Sequence, residues 1–171
     1  AKRMGTQYAQ AVSSGTAALK VGLKALGVKR GDEVITQSFT FVATVEAILE
    51  AGATPIVVDV DETLNICSKS LEAAISDKTK AIIPVHMMGA TANMDAVMEI
   101  AQRHNLKVFE DTAQACGGTY KGRTLGTIGH IGAFSTDAGK TLMTGEGGMV
   151  VTADENLFIR ARSYHDHGHE Y

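Results

Sequence analysis

Basic clusters, long apolar runs and proline are what this sequence has least of. Its 16 Lys and Arg are outnumbered by 19 Asp and Glu, the formal charge is −3, and Lys and Arg form no run anywhere. Binding to nucleic acid requires a basic stripe or patch, so that class of function is excluded. No apolar stretch approaches the ~20 residues of a membrane-crossing helix, and no signal peptide opens the chain, so a cytoplasmic protein without a membrane partner is expected. Only two prolines interrupt the backbone, and 44% of residues are hydrophobic against 20% charged, the composition of an ordered globular chain. Cysteine is scarce as well. Cys67 and Cys116 show neither metal-ligand nor redox spacing and read as free thiols in a reducing compartment.

What is present is a rhythm. Across 171 residues, about one domain, short apolar runs alternate with helical patterns. "YAQAV" precedes a helix in "SSGTAALKVGLKALG", where Leu19, Gly22, Leu23 and Leu26 share a face and Gly27 caps the end. Strands are expected in "DEVITQ", "TPIVVDV", "TKAIIPVHM" and "LKVFED", with helices in "VATVEAILEAG", "KSLEAAI" and "NMDAVMEIAQRH" between them. These strands are apolar throughout rather than alternating, as strands covered on both faces are. The fold class is therefore α/β: three layers, with a mostly parallel sheet flanked by helices. From Thr112 the pattern changes to a glycine-rich stretch with no helical face, followed by strands "GAFST" and "GGMVVTA" and a last helix in "ENLFIRARSYHDH". Many of the 18 glycines fall after residue 115, so close backbone approach or positive φ is needed there.

One lysine stands out, Lys140 in "FSTDAGKTLMTGEGG". Gly139-Lys140-Thr141 suggests a phosphate-binding P-loop, but that motif needs a glycine where Phe134 stands, and a helix where turn residues follow. A different chemistry fits better. In open parallel sheets, ligands bind beyond the carboxyl ends of the strands. At that edge "SSGT" opens a helix whose free N–H groups and positive dipole end suit a phosphate, with the Thr16 hydroxyl beside them. Asp111 ends a strand, and Lys140 follows the strand that carries Ser135. A phosphate cradle, a strand-end carboxylate and a loop lysine together point to pyridoxal phosphate. The lysine would form a Schiff base with its aldehyde, and the carboxylate would keep its pyridine nitrogen protonated. Each element taken alone has a plainer reading: a helix N-cap, a structural aspartate, a solvated lysine.

"AVSSGTAAL", "FTFVAT", "PVH", "FEDTAQACG", "GAFS" and "KTLMTGEGG" occur in the order and approximate spacing of the DegT/StrS family, and over nearly its whole length the chain resembles these fold-type I, pyridoxal-phosphate-dependent sugar aminotransferases. The resemblance implies that Gly15, Thr16 and Ser135 bind the cofactor phosphate. It also implies that Phe41 stacks on the pyridine ring, where core packing is the plainer reading. Asp111 would pair with the ring nitrogen, Gln114 would lie near the phenolic oxygen, and Lys140 would carry the cofactor and shuttle the proton. A dehydratase branch of the family has histidine at the lysine position, so Lys140 favours transamination. The implied reaction moves an amino group from glutamate or glutamine to a keto group on a nucleotide-linked sugar or cyclitol, in a homodimer.

Around the lysine, Asp137-Ala138-Gly139 and Thr141 depart from the family's common residues. The family's chains are about twice as long, so residues 1–171 are expected to be the cofactor-binding large domain of a longer chain. Two rival readings remain: a lyase or desulfurase on the same fold, and a non-catalytic dimerisation or regulatory domain. His86 reads as structural or site-lining. His165, His167 and His169 alternate in "HDHGHEY", a spacing that would let them share a metal on an extended segment, although no fourth ligand is evident and no metal is assigned.

Overall fold

A computed structural model describes residues 1–169. The chain runs β1 (Tyr8–Val12), α1 (Gly15–Ala25), β2 (Glu33–Gln37), α2 (Val42–Glu50), β3 (Thr54–Val58), α3 (Ser68–Ala73), β4 (Thr79–Ile83), α4 (Met94–Arg103) and β5 (Lys107–Asp111). A two-residue hairpin, β6 (Thr119–Tyr120) and β7 (Arg123–Thr124), lies within the glycine-rich stretch, and β8 (Ile131–Ser135), β9 (Gly148–Thr152) and α5 (Glu155–His165) complete the order. Seven strands form one sheet in the order β1-β9-β8-β5-β4-β2-β3. Neighbours from β3 to β8 are parallel, and β9 is antiparallel to both β8 and β1. β9 reverses because the loop after β8 turns the chain straight back beside it, with no crossover helix to return it to the other end.

Alternate residues of each central strand supply two cores. Val34, Ala81, Ile83 and Phe109 pack with α1, α2 and α5 on one face. Ile35, Ile82 and Val108 pack with α3, α4, Leu125 and Ile128 on the other. The layering expected from the sequence is therefore present. The strand-end residues inherit this alternation: Asp111 follows Phe109 towards the α1–α2 side, and Glu110 follows Val108 towards the glycine-rich segment.

The hairpin within residues 112–130 is not legible as strands, because two residues are too few to show a period. The last helix also differs from expectation. It ends at His165, and His167 takes a left-handed φ of 56° in the turn that follows.

Close approach explains two glycines in particular. A Cβ at Gly132 would lie 2.1 Å from the Gly126 carbonyl oxygen, so the glycine-rich stretch lies directly against β8. In α1, a Cβ at Gly22 would lie 2.3 Å from Cζ of Phe109, a fully buried ring. Helix propensity alone favours Ala over Gly by about 0.5–1 kcal/mol, whereas overpacking a filled core costs about 1–3 kcal/mol. The clash is the larger effect. Gly22→Ala is therefore expected to destabilise the protein, lowering the urea midpoint with an unchanged m-value.

Candidate active site

The carboxyl ends of β1, β2, β4, β5 and β8 meet at one edge of the sheet, and the cavity there has a volume of about 310 Å³, at the small end for ligand sites. Gly15, Thr16, Phe41, Asp111, Gln114, Ser135 and Lys140 all line it. These seven residues come from five separate stretches of the chain, and the fold brings all of them together.

One end of the cavity is the N-terminus of α1. Ser14 caps the helix: its Oγ accepts the Ala17 N–H at 3.1 Å and its carbonyl accepts the Ala18 N–H. The Gly15 and Thr16 amides are left with no intrahelical acceptor. Gly15 is needed for space, since a Cβ there would lie 2.7 Å from the Ser135 Cβ. That contact sets the Ser135 hydroxyl against the first turn of α1. Free amides, two hydroxyls and a positive helix end form a cradle suited to a dianionic phosphate.

Asp111 lies deeper and is nearly fully buried. Its Oδ2 accepts the Thr44 hydroxyl at 2.9 Å and its Oδ1 accepts the Ala113 N–H at 3.1 Å. Burial pushes its carboxyl above the ordinary carboxylate range, while the Ala113 amide, the Thr44 hydroxyl and the Lys140 charge draw it back down. Phe41, the N-cap position of α2, is 60% exposed, so it stands over the cavity mouth rather than in the core. The Lys140 ammonium lies 5.8 Å from the centroid of that ring, within cation–π range. It makes no hydrogen bond or salt bridge among the described residues. Gln114 accepts the Met88 N–H at 3.1 Å through Oε1, which leaves its NH2 as the group free to donate.

Four contributors escaped the sequence reading: Thr44, Glu110, the role of His86, and Glu146, which lines the cavity. Thr44 was detectable, because it follows Phe41 by three residues on a helix and so shares its face. Glu110 was detectable from strand alternation next to Asp111. Its Oε1 accepts the Ile128 and Gly129 amides at 2.7 Å each, and its Oε2 accepts the Gly126 amide at 2.8 Å. His86, fully buried, is 3.1 Å from the same Oε2 through Nε2. Its Nδ1 accepts the Ala92 N–H at 3.2 Å, so the ring proton that reaches Glu110 is on Nε2. His86 is thus a structural link behind the site and does not line the cavity.

The histidine tail does not form the geometry that its spacing suggested. His165 is still helical, with Nδ1 3.4 Å from Gln10 Nε2, so two-residue alternation does not apply to it. His167 and His169 meet edge to face at 6.4 Å between ring centroids. Among the described residues no cluster of three His, Cys, Asp or Glu is placed to hold a metal. Cys67 and Cys116 are both free, and no helix of the described residues is long and apolar enough to cross a membrane.

Spore coat polysaccharide biosynthesis protein SpsC of Bacillus subtilis is 50% identical over 166 residues, covering 96% of this chain and 43% of that protein. GDP-perosamine synthase of Escherichia coli O157:H7 is 48% identical over 163 residues, covering 95% of this chain and 45% of that one. The X-ray structure of an aminotransferase from Psychrobacter cryohalolentis superposes with a TM-score of 0.97 at 48% identity, covering 99% of this chain and 44% of that one. At a TM-score of 0.89 each, Spr1654 of Streptococcus pneumoniae, solved in PLP and PMP forms, superposes at 30% identity over 94% of this chain and 46% of that one, and ntda of Bacillus subtilis, solved with PMP, at 36% identity over 95% of this chain and 37% of that one. The chain spans less than half the length of the relatives it matches. The model of the DegT/DnrJ/EryC1/StrS aminotransferase family matches residues 1–171, and the chain belongs to that family.

Proposed function

We propose that this chain is the cofactor-binding domain, residues 1–171, of a pyridoxal-phosphate-dependent aminotransferase. The observation that carries the reading is the convergence of Lys140, Asp111 and the α1 cradle on one cavity. The residues fit the cofactor: the cradle takes a phosphate, the exposed Phe41 face offers a stacking surface, and Asp111 keeps unused acceptor capacity at the cavity floor. When bound, pyridoxal phosphate supplies an aldehyde that a primary amine can attack and a ring that accepts electrons from the substrate carbon.

The protein's own groups carry the remaining work. The Gly15 and Thr16 amides, with the hydroxyls of Thr16 and Ser135, hold the phosphate. Asp111 would hold the proton on the ring nitrogen, Phe41 would offer its face to the ring, and the Gln114 NH2 would be free to donate to the ring oxygen. Lys140 Nζ would provide the amine that carries the cofactor and would move the proton at the reacting carbon. The proposed substrate is a keto group on a nucleotide-linked sugar or a cyclitol, which the relatives named for GDP-perosamine and for a UDP-linked amino sugar support, and the proposed amino donor is glutamate or glutamine. Six large apolar residues stand exposed within three positions of cavity-lining ones: Phe39, Phe41, Val42, Met88, Leu142 and Met143. A second copy packed over this rim would cover them, which supports a homodimer that closes the site.

Borohydride reduction in the presence of pyridoxal phosphate, followed by peptide mass mapping, tests the assignment. The cofactor mass is expected on the peptide that contains Lys140, and label confined to another lysine would overturn the reading. Lys140→Ala should retain non-covalent cofactor binding through the cradle and lose the label.

Asp111 gives a second test, with opposite signs for stability and activity. Its folded pKa is raised, so the native state holds this proton more tightly than the unfolded chain does. The stability this contributes is present in acid and is lost as pH rises through the folded value. At pH 7 the cofactor-free wild type therefore bears a cost that Asp111→Asn avoids. The variant's thermal midpoint should be equal to or above that of the wild type at pH 7, and the difference should shrink on acidification. Its transamination should nevertheless fall by about 10²–10³-fold, the scale of losing one preorganised charge-stabilising group.

A further inference from the structure

Among the described residues Asp111 is held by two protein donors, and the one on Oδ2 is a side chain. Thr44 Oγ1 lies 2.9 Å from that oxygen, and Thr40 Oγ1 lies 2.8 Å behind it, four residues earlier on the chain. Thr44 is fully buried and Thr40 is partly buried. Proton counting sets the direction of this relay. A carboxylate has no hydrogen to give, and Thr44 has a single hydroxyl hydrogen. Thr44 therefore donates to Asp111, and Thr40 donates to Thr44. Thr40 has a competing acceptor in the Phe41 carbonyl, but at 3.4 Å that contact is far weaker.

We propose that Thr44, backed by Thr40, is a positioning residue that holds the Asp111 carboxylate ionised and aimed into the cavity. The consequence for catalysis rests on the aminotransferase reading above; the effect on Asp111 itself does not. The titratable groups that face Asp111 are His86, three residues beyond β4, and Lys140 from the loop after β8, with Glu110 adjacent on β5 but turned to the other side of the sheet. These groups act at a distance and leave the carboxylate free to rotate. The Ala113 amide fixes Oδ1 alone. Among the described residues only the Thr44 hydroxyl fixes Oδ2, and so orients the plane of the group. Phe41 and Thr44 lie one turn apart, with the Thr44 N–H bonded to the Phe41 carbonyl at 3.1 Å. The first turn of α2 therefore ties the ring at the cavity mouth to the carboxylate on its floor.

The test uses the cofactor-free protein, so it does not depend on the proposed reaction. With 13C-labelled aspartate, the Asp111 carboxyl resonance is assigned by its disappearance in Asp111→Asn, and its titration is then followed in the wild type, Thr44→Val, Thr44→Ala and Thr44→Ser. Loss of a hydrogen bond to the charged form raises a carboxyl pKa. Thr44→Val, which keeps the shape, should move the Asp111 midpoint up by about one pH unit, the equivalent of a single charge-assisted hydrogen bond. Thr44→Ala should shift it in the same direction and provides the measurement if the valine variant does not fold. Thr44→Ser, which retains the hydroxyl, should return the midpoint close to the wild-type value.

A purely structural role for Thr44 would lower the thermal midpoint of the variants and leave the titration in place, and that result would overturn the proposal. So would a serine variant that titrates like valine. Pyridoxal phosphate binding measured against pH then separates the two readings. If the wild type binds the cofactor, the acid limb of its affinity should move up in Thr44→Val by the same interval as the resonance. A shifted resonance together with no cofactor binding by the wild type at any pH would sustain the relay and sink the aminotransferase assignment.

Discussion

Two neighbouring carboxylates are buried at the end of β5, and most of the polar structure at this edge of the sheet exists to hold them there. Burying a carboxylate is costly unless it is hydrogen-bonded, and each can accept at about four lone-pair positions. Glu110 has all of them occupied, by the amides of Gly126, Ile128 and Gly129 and by His86. Asp111 has two occupied, by Thr44 and Ala113. The same strand end thus carries one saturated carboxylate and one with capacity in reserve. Saturation makes Glu110 an anchor: it draws the glycine-rich segment against β5, which the absence of side chains at Gly126, Gly129 and Gly132 permits. Reserve capacity makes Asp111 a group that a cationic ligand atom can complete.

The backbone explains why the two differ. Residues 110 and 111 point to opposite faces of the sheet. Behind Glu110, residues 126–129 turn so that successive amides converge on a single carboxylate. In front of Asp111 the chain departs from the sheet edge, α1 and α2 begin, and the space between their first turns remains open as the cavity. The Lys140 loop closes the far side because β9 must return beside β8, which places an exposed turn at the same edge.

Much of this was legible in the sequence, and the limits have physical causes. The strand and helix order could be read because strands covered on both faces are continuous apolar runs. The antiparallel direction of β9 and the sheet order could not, because a run's hydrophobicity carries no direction and adjacency is decided by three-dimensional packing. Of the cavity's lining, Gly15, Thr16, Asp111 and Lys140 are legible from a helix-start turn, a strand-end carboxylate and a loop lysine, whereas Phe41, Gln114 and Ser135 are reached only through the resemblance to the DegT/StrS family. Thr44 and the Glu110–His86 link were missed because they act on another side chain rather than on a ligand. Thr44 looks like any helix threonine until Asp111 is seen beside it, and His86 and Glu110 are 24 residues apart in the chain. The histidine tail shows the opposite error: alternation suggests shared ligands only on an extended segment, and α5 extends through the first of the three.

The reserve at Asp111 also bears on how the protein and its ligand stabilise one another. A buried carboxylate with two of four positions filled by protein donors is costly to hold, and this is the kind of local sacrifice that binding sites make against stability. A ligand that brings a cationic N–H to that oxygen offsets this cost and adds its own contacts, so it binds the folded state and not the unfolded one. Occupancy must then raise stability by mass action. The cradle at α1 works in the same direction from the other end, because its free amides have no acceptor of their own within the helix. The two ends of the cavity are each incomplete in complementary ways, short of a negative charge at one and of a positive charge at the other. A rigid molecule with a phosphate at one end and a protonatable ring nitrogen at the other satisfies both at once.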